Sequence, residues 1–214
     1  MEMPTMNNHD ALIEQLSRTA QPVQRTRPAW LRAAGWMLLA LPCGFLASLL
    51  LPRGNADWSH PGALWAGLWI LVSFCLGALA IGTAFTVSIA GSRGAHWRWL
   101  TALCVAWLLI GVIDVLDSTD PVGQLGDGQY CYTFMLVAGL PMIAIALAAL
   151  RRTRSIRPAG SLATAGLGIA AMAQILLGFC HPVAGELIDL MMHLAAALTL
   201  VAITVLAGRR WIAL

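Results

Sequence analysis

Six long apolar runs, separated by short polar stretches, constrain this chain more than any other feature of its sequence. Each run has about the twenty residues that a helix needs to cross the hydrocarbon core of a bilayer. A segment in lipid must satisfy its own backbone hydrogen bonds unless a closed barrel forms, and the alternation of barrel strands is not seen, so each run is predicted to be a helix. The runs cover residues 32–51, 63–90, 99–117, 131–150, 160–179 and 187–208.

Composition supports a chain whose main solvent is lipid. Only 11% of the 214 residues are charged, against roughly a quarter in a soluble domain. The predicted fold class is therefore all-α: a polytopic membrane protein with a six-helix transmembrane bundle. We expect an N-terminal segment over residues 1–31, a transmembrane domain over 32–210 and a short C-terminal segment over 211–214. The residues before Arg18 are polar rather than apolar, so no signal peptide is predicted and the first span should be retained.

The arginines orient the bundle. All thirteen basic residues are Arg, and twelve of them fall in one set of connecting segments. Because basic residues near helix ends are retained in the cytoplasm, both termini are predicted to be cytoplasmic. The balance of charge indicates no contact with nucleic acid. The twelve are Arg18, Arg25, Arg27, Arg32, Arg93, Arg98, Arg151, Arg152, Arg154, Arg157, Arg209 and Arg210, whereas Arg53 faces the other side.

A short amphipathic helix is predicted before the first span, over residues 8–20. Asn8 or Asp10 would be its N-cap, and Leu12, Ile13 and Leu16 form one apolar stripe. Such a segment can lie on the lipid headgroups, or it can dock its aliphatic stripe in the groove of a partner protein. The residues alone favour the membrane surface.

Two of the five cysteines lie near the outer ends of predicted spans. Cys131 begins the fourth span and Cys180 follows the fifth, so both thiols should lie near the oxidising side of the membrane. No CxxC pair occurs, and the odd number of cysteines indicates neither a disulfide framework nor a zinc ribbon. A redox or metal role and a simple packing role both remain open for this pair.

A group of potential metal ligands follows Cys180. Glu186, Asp189 and His193 are spaced by three and four residues, so they share one face at the start of the sixth span, just after His181. With thiolate and imidazole ligands, such a site would favour a soft or borderline ion such as zinc, cadmium or copper. The alternative is an outer loop whose acidic side chains face water.

Motifs of the common enzyme classes are absent from the sequence, which contains no HExxH, GxSxG, P-loop or GxGxxG. We therefore predict no catalytic activity. Two other classes of membrane protein make expectations that the sequence can be compared with, a thiol-disulfide oxidoreductase and a small transporter. A membrane thiol-disulfide oxidoreductase that uses a quinone commonly relays electrons through two thiol pairs, and only one outer pair can be built here. A small transporter would show internal repeats and broken helices, and no clear repeat is seen.

Several short segments, in a fixed order, resemble the NrsF family of membrane-bound anti-sigma factors. These factors hold an extracytoplasmic-function sigma factor inactive at the inner membrane of Gram-negative bacteria. The resemblance extends over nearly the whole chain. It is carried by Leu-Ile-Glu-Gln-Leu at 12–16, Pro-Val-Gln-Arg-Thr-Arg-Pro at 22–28, Pro141, the stretch 150–158, Cys180, His193 and Gly-Arg-Arg at 208–210.

The resemblance implies a role for each end of the bundle. The N-terminal segment, with Leu12, Ile13, Leu16 and Arg18, would help to bind the sigma factor, which reverses the preference for the membrane surface. Cys131 and Cys180 would be the paired sensing cysteines of the family. Their oxidation or metal binding would shift the helices and release the sigma factor. No permanent cofactor is implied, only a transient metal ion at the outer cysteines, for which the further candidate ligands are His181, Asp189 and His193.

The sequence departs from the family pattern at the sixth span. His181 stands between Cys180 and Pro182, and Met192 occupies a position where the family has Trp. An intermediate His of the pattern is absent. Carry-over of the sensing role to Cys180 is unaffected by these differences.

Overall fold

The computed structural model describes residues 6–19, 27–52, 58–59, 63–89, 96–117, 129–152, 158–180 and 186–212. All regular structure in these ranges is helical, which confirms the predicted fold class. The helices are α1 (Met6–Thr19), α2 (Ala29–Ser48), α3 (Ala63–Val87), α4 (Trp97–Asp117), α5 (Gln129–Leu150), α6 (Pro158–Gly178) and α7 (Leu187–Ile212).

Helices α2 to α7 correspond to the six predicted spans. Each has the length and apolar composition needed to cross a membrane, and many of their large apolar side chains are exposed on the outside of the bundle, where lipid would cover them. The chain is a multi-pass membrane protein.

The ends of the helices differ from the sequence prediction by a few residues. Helix α1 begins at Met6, so neither Asn8 nor Asp10 is its N-cap as predicted. Helix α2 begins at Ala29 rather than at 32, because the carbonyl of Pro28 already accepts the backbone N–H of Arg32 at 3.2 Å. The last helix continues to Ile212, beyond the predicted span of 187–208.

Helix α6 lies at the centre of the bundle. It packs against α2, α3, α5 and α7. Within its most apolar stretch of 18 residues, 72% is buried inside the bundle. Helix α4 is peripheral, since only 17% of its corresponding 18-residue stretch is buried. It packs mainly on α3, with a smaller contact to α7.

Contacts between helix ends show that the six helices alternate in direction. At one end, the Arg32 guanidinium lies 4.5 Å from the centre of the Phe85 ring. The Arg151 guanidinium lies 5.4 Å from the ring of Trp211. We call this the arginine end. At the opposite end, Cys131 at the start of α5 meets the start of α7, and we call it the thiol end.

Glycines allow the inner helices to approach closely. A Cβ atom on Gly166 would lie 2.7 Å from the Cα of Val201, so α6 and α7 touch backbone to backbone. A Cβ on Gly139 would lie 2.6 Å from a methyl group of Leu200, which brings α5 equally close to α7. Small residues at helix interfaces are the usual means of close packing in membranes, where burial of apolar surface gives no net gain.

Candidate functional site

Cys131 and Cys180 lie at the ends of two neighbouring helices. Cys131 is in the first turn of α5 and is fully buried, and Cys180 is in the turn that ends α6 and is 8% exposed. That turn is held by the backbone N–H of Cys180, which donates to the carbonyl of Leu177 at 2.8 Å. Neither thiol is in a disulfide, and both residues belong to the same extended cluster of buried apolar side chains. The two predicted sensing residues therefore both lie in the buried core, each at the end of its helix.

Asp189 is the closest polar partner of Cys131 that the structure identifies. The thiol donates a hydrogen bond to Oδ1 of Asp189 at 3.3 Å. Asp189 is in the first turn of α7, where the unpaired backbone N–H groups and the helix dipole favour a carboxylate. It is only 8% exposed. A buried carboxylate beside a thiol can accept the proton that the sulfur loses when it is oxidised or binds a metal ion.

His193 lies one turn beyond Asp189 on α7 and contacts aromatic side chains. Its ring meets the edge of Trp69 with centroids 5.3 Å apart and an interplanar angle of 67°. Trp69 in turn packs on Trp107 at 5.1 Å, and the indole N–H of Trp107 donates to the hydroxyl of Ser73 at 3.0 Å. The side chain of His193 is 3% exposed. This histidine therefore connects the thiol end to the half-buried Trp69 of α3 and, through it, to the buried Trp107 of α4.

The predicted metal-ligand cluster is only partly represented. Among the residues that the structure describes, no three or more His, Cys, Asp or Glu side chains are grouped to hold a metal ion. Cys131 and Asp189 place two potential metal-ligating atoms, a sulfur and a carboxylate oxygen, side by side. A structural zinc site uses four ligands. His181 lies outside the described residues, so a metal site completed by it stays a prediction.

The predicted partner-binding residues lie on α1. Leu12, Ile13 and Leu16 are 52%, 63% and 60% exposed. Arg18 forms an exposed ion pair with Glu14, with Nε 3.0 Å from Oε1. The whole stretch 9–19 is exposed in the structure. The apolar stripe is therefore on the surface at the N-terminal side of the first membrane span.

Sequence reasoning missed the polar and aromatic residues inside the bundle. Trp69, Ser73, Trp107 and Gln174 are all within membrane-spanning helices, and the last three are buried. Ser73 and Gln174 carried a usable signal, because polar side chains inside apolar spans face the protein interior and often serve function. Trp69 and Trp107 carried none, since tryptophan is as apolar as its neighbours.

Comparison with known proteins identifies the family. No curated protein and no solved structure matches this chain. One family model does match, from residue 16 to residue 213, and it is described as NrsF, negative regulator of sigma F. The match includes all six membrane-spanning helices and both Cys131 and Cys180, but begins after Leu12 and Ile13. The chain therefore belongs to the NrsF family of negative regulators of sigma F.

Proposed function

We propose that this protein is an anti-sigma factor of the bacterial inner membrane that sequesters an extracytoplasmic-function sigma factor through its cytoplasmic side. It releases the sigma factor when Cys131 and Cys180 are oxidised, or bind a metal ion, at the outer side. The observation that carries the proposal is the family match over residues 16–213. The sigma factor is the partner that the family description implies.

The docking element in this proposal is α1. An apolar stripe of three aliphatic side chains, each more than half exposed, is costly in water and favours burial in a groove. A helix of 14 residues is marginal on its own, so a partner that buries the stripe would also stabilise the helix. Arg18 lies on the face opposite the stripe and is paired with Glu14, so we expect its cation to contribute only where the partner extends beyond the groove.

The sensing element is the thiol pair. Loss of two electrons and two protons from the Cys131 and Cys180 thiols to an outer disulfide or peroxide oxidant would form one S–S bond between α5 and the end of α6. A metal ion would instead replace the two thiol protons. In both cases the hydrogen bond from Cys131 to Asp189 is lost, because the sulfur no longer carries its proton.

Close packing of α5, α6 and α7 gives the signal a route across the membrane. Gly139 and Gly166 hold α7 in direct contact with its neighbours, and Arg151 of α5 meets Trp211 of α7 at the arginine end. Tightly packed helices move as rigid elements, so a shift at the thiol end would reach the arginine end. Reciprocity then requires that bound sigma factor opposes oxidation by the same coupling free energy.

The first experiment measures capture of the sigma factor. The full-length protein in lipid nanodiscs would be tested for binding to extracytoplasmic-function sigma factors encoded next to its gene, under reducing and metal-free conditions. The variant Leu12→Asp/Leu16→Asp should lose binding, and Ala11→Asp, an exposed residue on the face that carries Glu14 and Arg18, should retain it. Failure of the unaltered protein to capture any of them would refute sequestration.

A second experiment tests the signal. A thiol oxidant and Zn²⁺ or Cd²⁺ would be added separately to the preformed complex, and dissociation followed. The proposal expects release from the unaltered protein but not from Cys131→Ser/Cys180→Ser. Cys75→Ser serves as the matched control, since Cys75 is an exposed cysteine within a span. Equal release from the double variant would place the sensor elsewhere.

A further inference from the structure

A cavity of about 220 Å³ lies inside the membrane-spanning bundle, mainly between α4, α6 and α7, with one lining residue each from α3 and α5. Its lining is almost entirely hydrocarbon, from residues such as Leu76, Met135 and Leu167. Leu108 of α4 and Leu198 of α7 also line it and are 40% and 70% exposed on the outer surface of the bundle. The cavity therefore opens sideways, toward lipid, where α4 and α7 pack least closely.

The lining of the cavity also includes a polar amide side chain. Gln174 of α6 lines it and is only 5% exposed. Its Oε1 is buried and accepts no hydrogen bond from any residue that the structure describes. An amide oxygen within hydrocarbon strongly favours a donor.

We propose that this cavity binds a small apolar molecule that carries one hydroxyl group, such as a phenol, and that this molecule enters from the bilayer. An apolar cavity of about 150 Å³ holds a benzene molecule and stays free of water. This one is larger and matches a bicyclic aromatic ring. Oε1 is covered in the structure, so the hydroxyl group would donate to it once the Gln174 amide turns toward the cavity, while the ring packs against the leucines and Trp107.

Position gives the ligand access to the sensing element. His193 lines the same cavity and lies one turn from Asp189, the acceptor of the Cys131 thiol. A ring seated against His193 would press on α7 near the thiol end. The binding site itself requires neither the sigma factor nor the cysteines, so it can be tested independently of the proposed function.

The test uses 2-naphthol and 2-methylnaphthalene, which share the same bicyclic ring. The first carries a hydroxyl group where the second carries a methyl group. Binding of each to the full-length protein in nanodiscs would be measured by calorimetry, with empty nanodiscs subtracted. We expect saturable binding of 2-naphthol. Ala197→Phe, which fills the cavity from α7, should abolish it, whereas Ala202→Phe, on the exposed face of the same helix, should not.

Gln174→Leu tests the hydroxyl recognition without filling the cavity. Each probe partitions into the lipid to the same extent whichever protein variant is present. The ratio of the affinities for 2-naphthol and 2-methylnaphthalene, compared between variants, therefore isolates the contact between the hydroxyl group and Gln174. The preference for 2-naphthol should fall by about 2- to 10-fold in this variant, which is the value of one neutral hydrogen bond. An unchanged preference would overturn the role of Gln174. Unchanged binding to Ala197→Phe, or a lipid chain that 2-naphthol cannot displace, would overturn the site.

Discussion

The thiol of Cys131 donates a hydrogen bond to Oδ1 of Asp189, and both side chains are buried at the point where α5 and α7 begin. The two residues are 58 positions apart in the chain. Their contact ties together two helices that also pack along their length, through Gly139 and Leu200. A chemical change at this one sulfur therefore acts directly on the α5–α7 interface.

Replacement of Cys131 should reveal the strength of this hydrogen bond. Cys131→Ser keeps a donor and Cys131→Ala removes it, so the serine variant should be more stable by about 0.5–1.5 kcal/mol. The measurement is the free energy of unfolding in mixed micelles of dodecylmaltoside and SDS.

Asp189→Ala provides the control for that comparison. Without the carboxylate, serine at position 131 has lost the acceptor identified here, so the difference between the Ser and Ala variants should shrink toward zero. A difference of the same size in both backgrounds would mean that Asp189 is not the relevant acceptor.

Gly166 should not tolerate a methyl group. In Gly166→Ala the new Cβ would meet the Cα of Val201 at 2.7 Å, and backbone cannot move aside as a flexible side chain can. We expect a loss of about 1–3 kcal/mol in the free energy of unfolding.

Gly160 provides the matched control on the same helix. A Cβ at this position meets nothing within 4 Å. Gly160→Ala should therefore be neutral, or stabilising by about 0.5–1 kcal/mol through reduced backbone freedom. Equal losses in Gly160→Ala and Gly166→Ala would show that helix propensity, rather than the close approach of α6 and α7, determines the cost.

The number, type and approximate limits of the membrane helices were predictable because the bilayer imposes a length and a composition on each span. The ends were predicted less well, since they depend on local hydrogen bonds such as that from Arg32 to the carbonyl of Pro28. Apolar composition cannot report those bonds. It also cannot distinguish a helix that faces lipid, such as α4, from one at the centre, such as α6.

The sequence singled out candidate residues for the site but not their arrangement. Cys131, Cys180 and Asp189 were selected from their positions at predicted span ends. Which of them touch depends on helix rotation and on which helices are neighbours, and nothing in the local sequence fixes either. The aromatic contact of His193 with Trp69 illustrates this, because the spacing on α7 alone suggested a metal ligand.

The arginine distribution makes a prediction about topology. A fluorescent protein fused after Leu214 should fold and fluoresce, because the C-terminus is predicted to be cytoplasmic. An epitope inserted between α4 and α5 should be accessible to antibody from the outer side. Arg209→Glu/Arg210→Glu should weaken this orientation only slightly, since ten of the twelve arginines on that side remain. Accessibility of both tags from the same side would contradict the predicted topology.

The hydrogen bond from Trp107 to Ser73 joins α4, the least buried of the membrane-spanning helices, to α3. A double-mutant cycle of Ser73→Ala and Trp107→Phe should give a coupling of about 0.6 kcal/mol, the average for such bonds in membranes, and up to about 1.7. Thr101→Ala supplies the control, because the Thr101 hydroxyl bonds only to backbone of its own helix among the contacts identified. Paired with Ser73→Ala, it should be additive within about 0.3–0.5 kcal/mol. A coupling near zero between Ser73 and Trp107 would mean that α4 is held by packing alone.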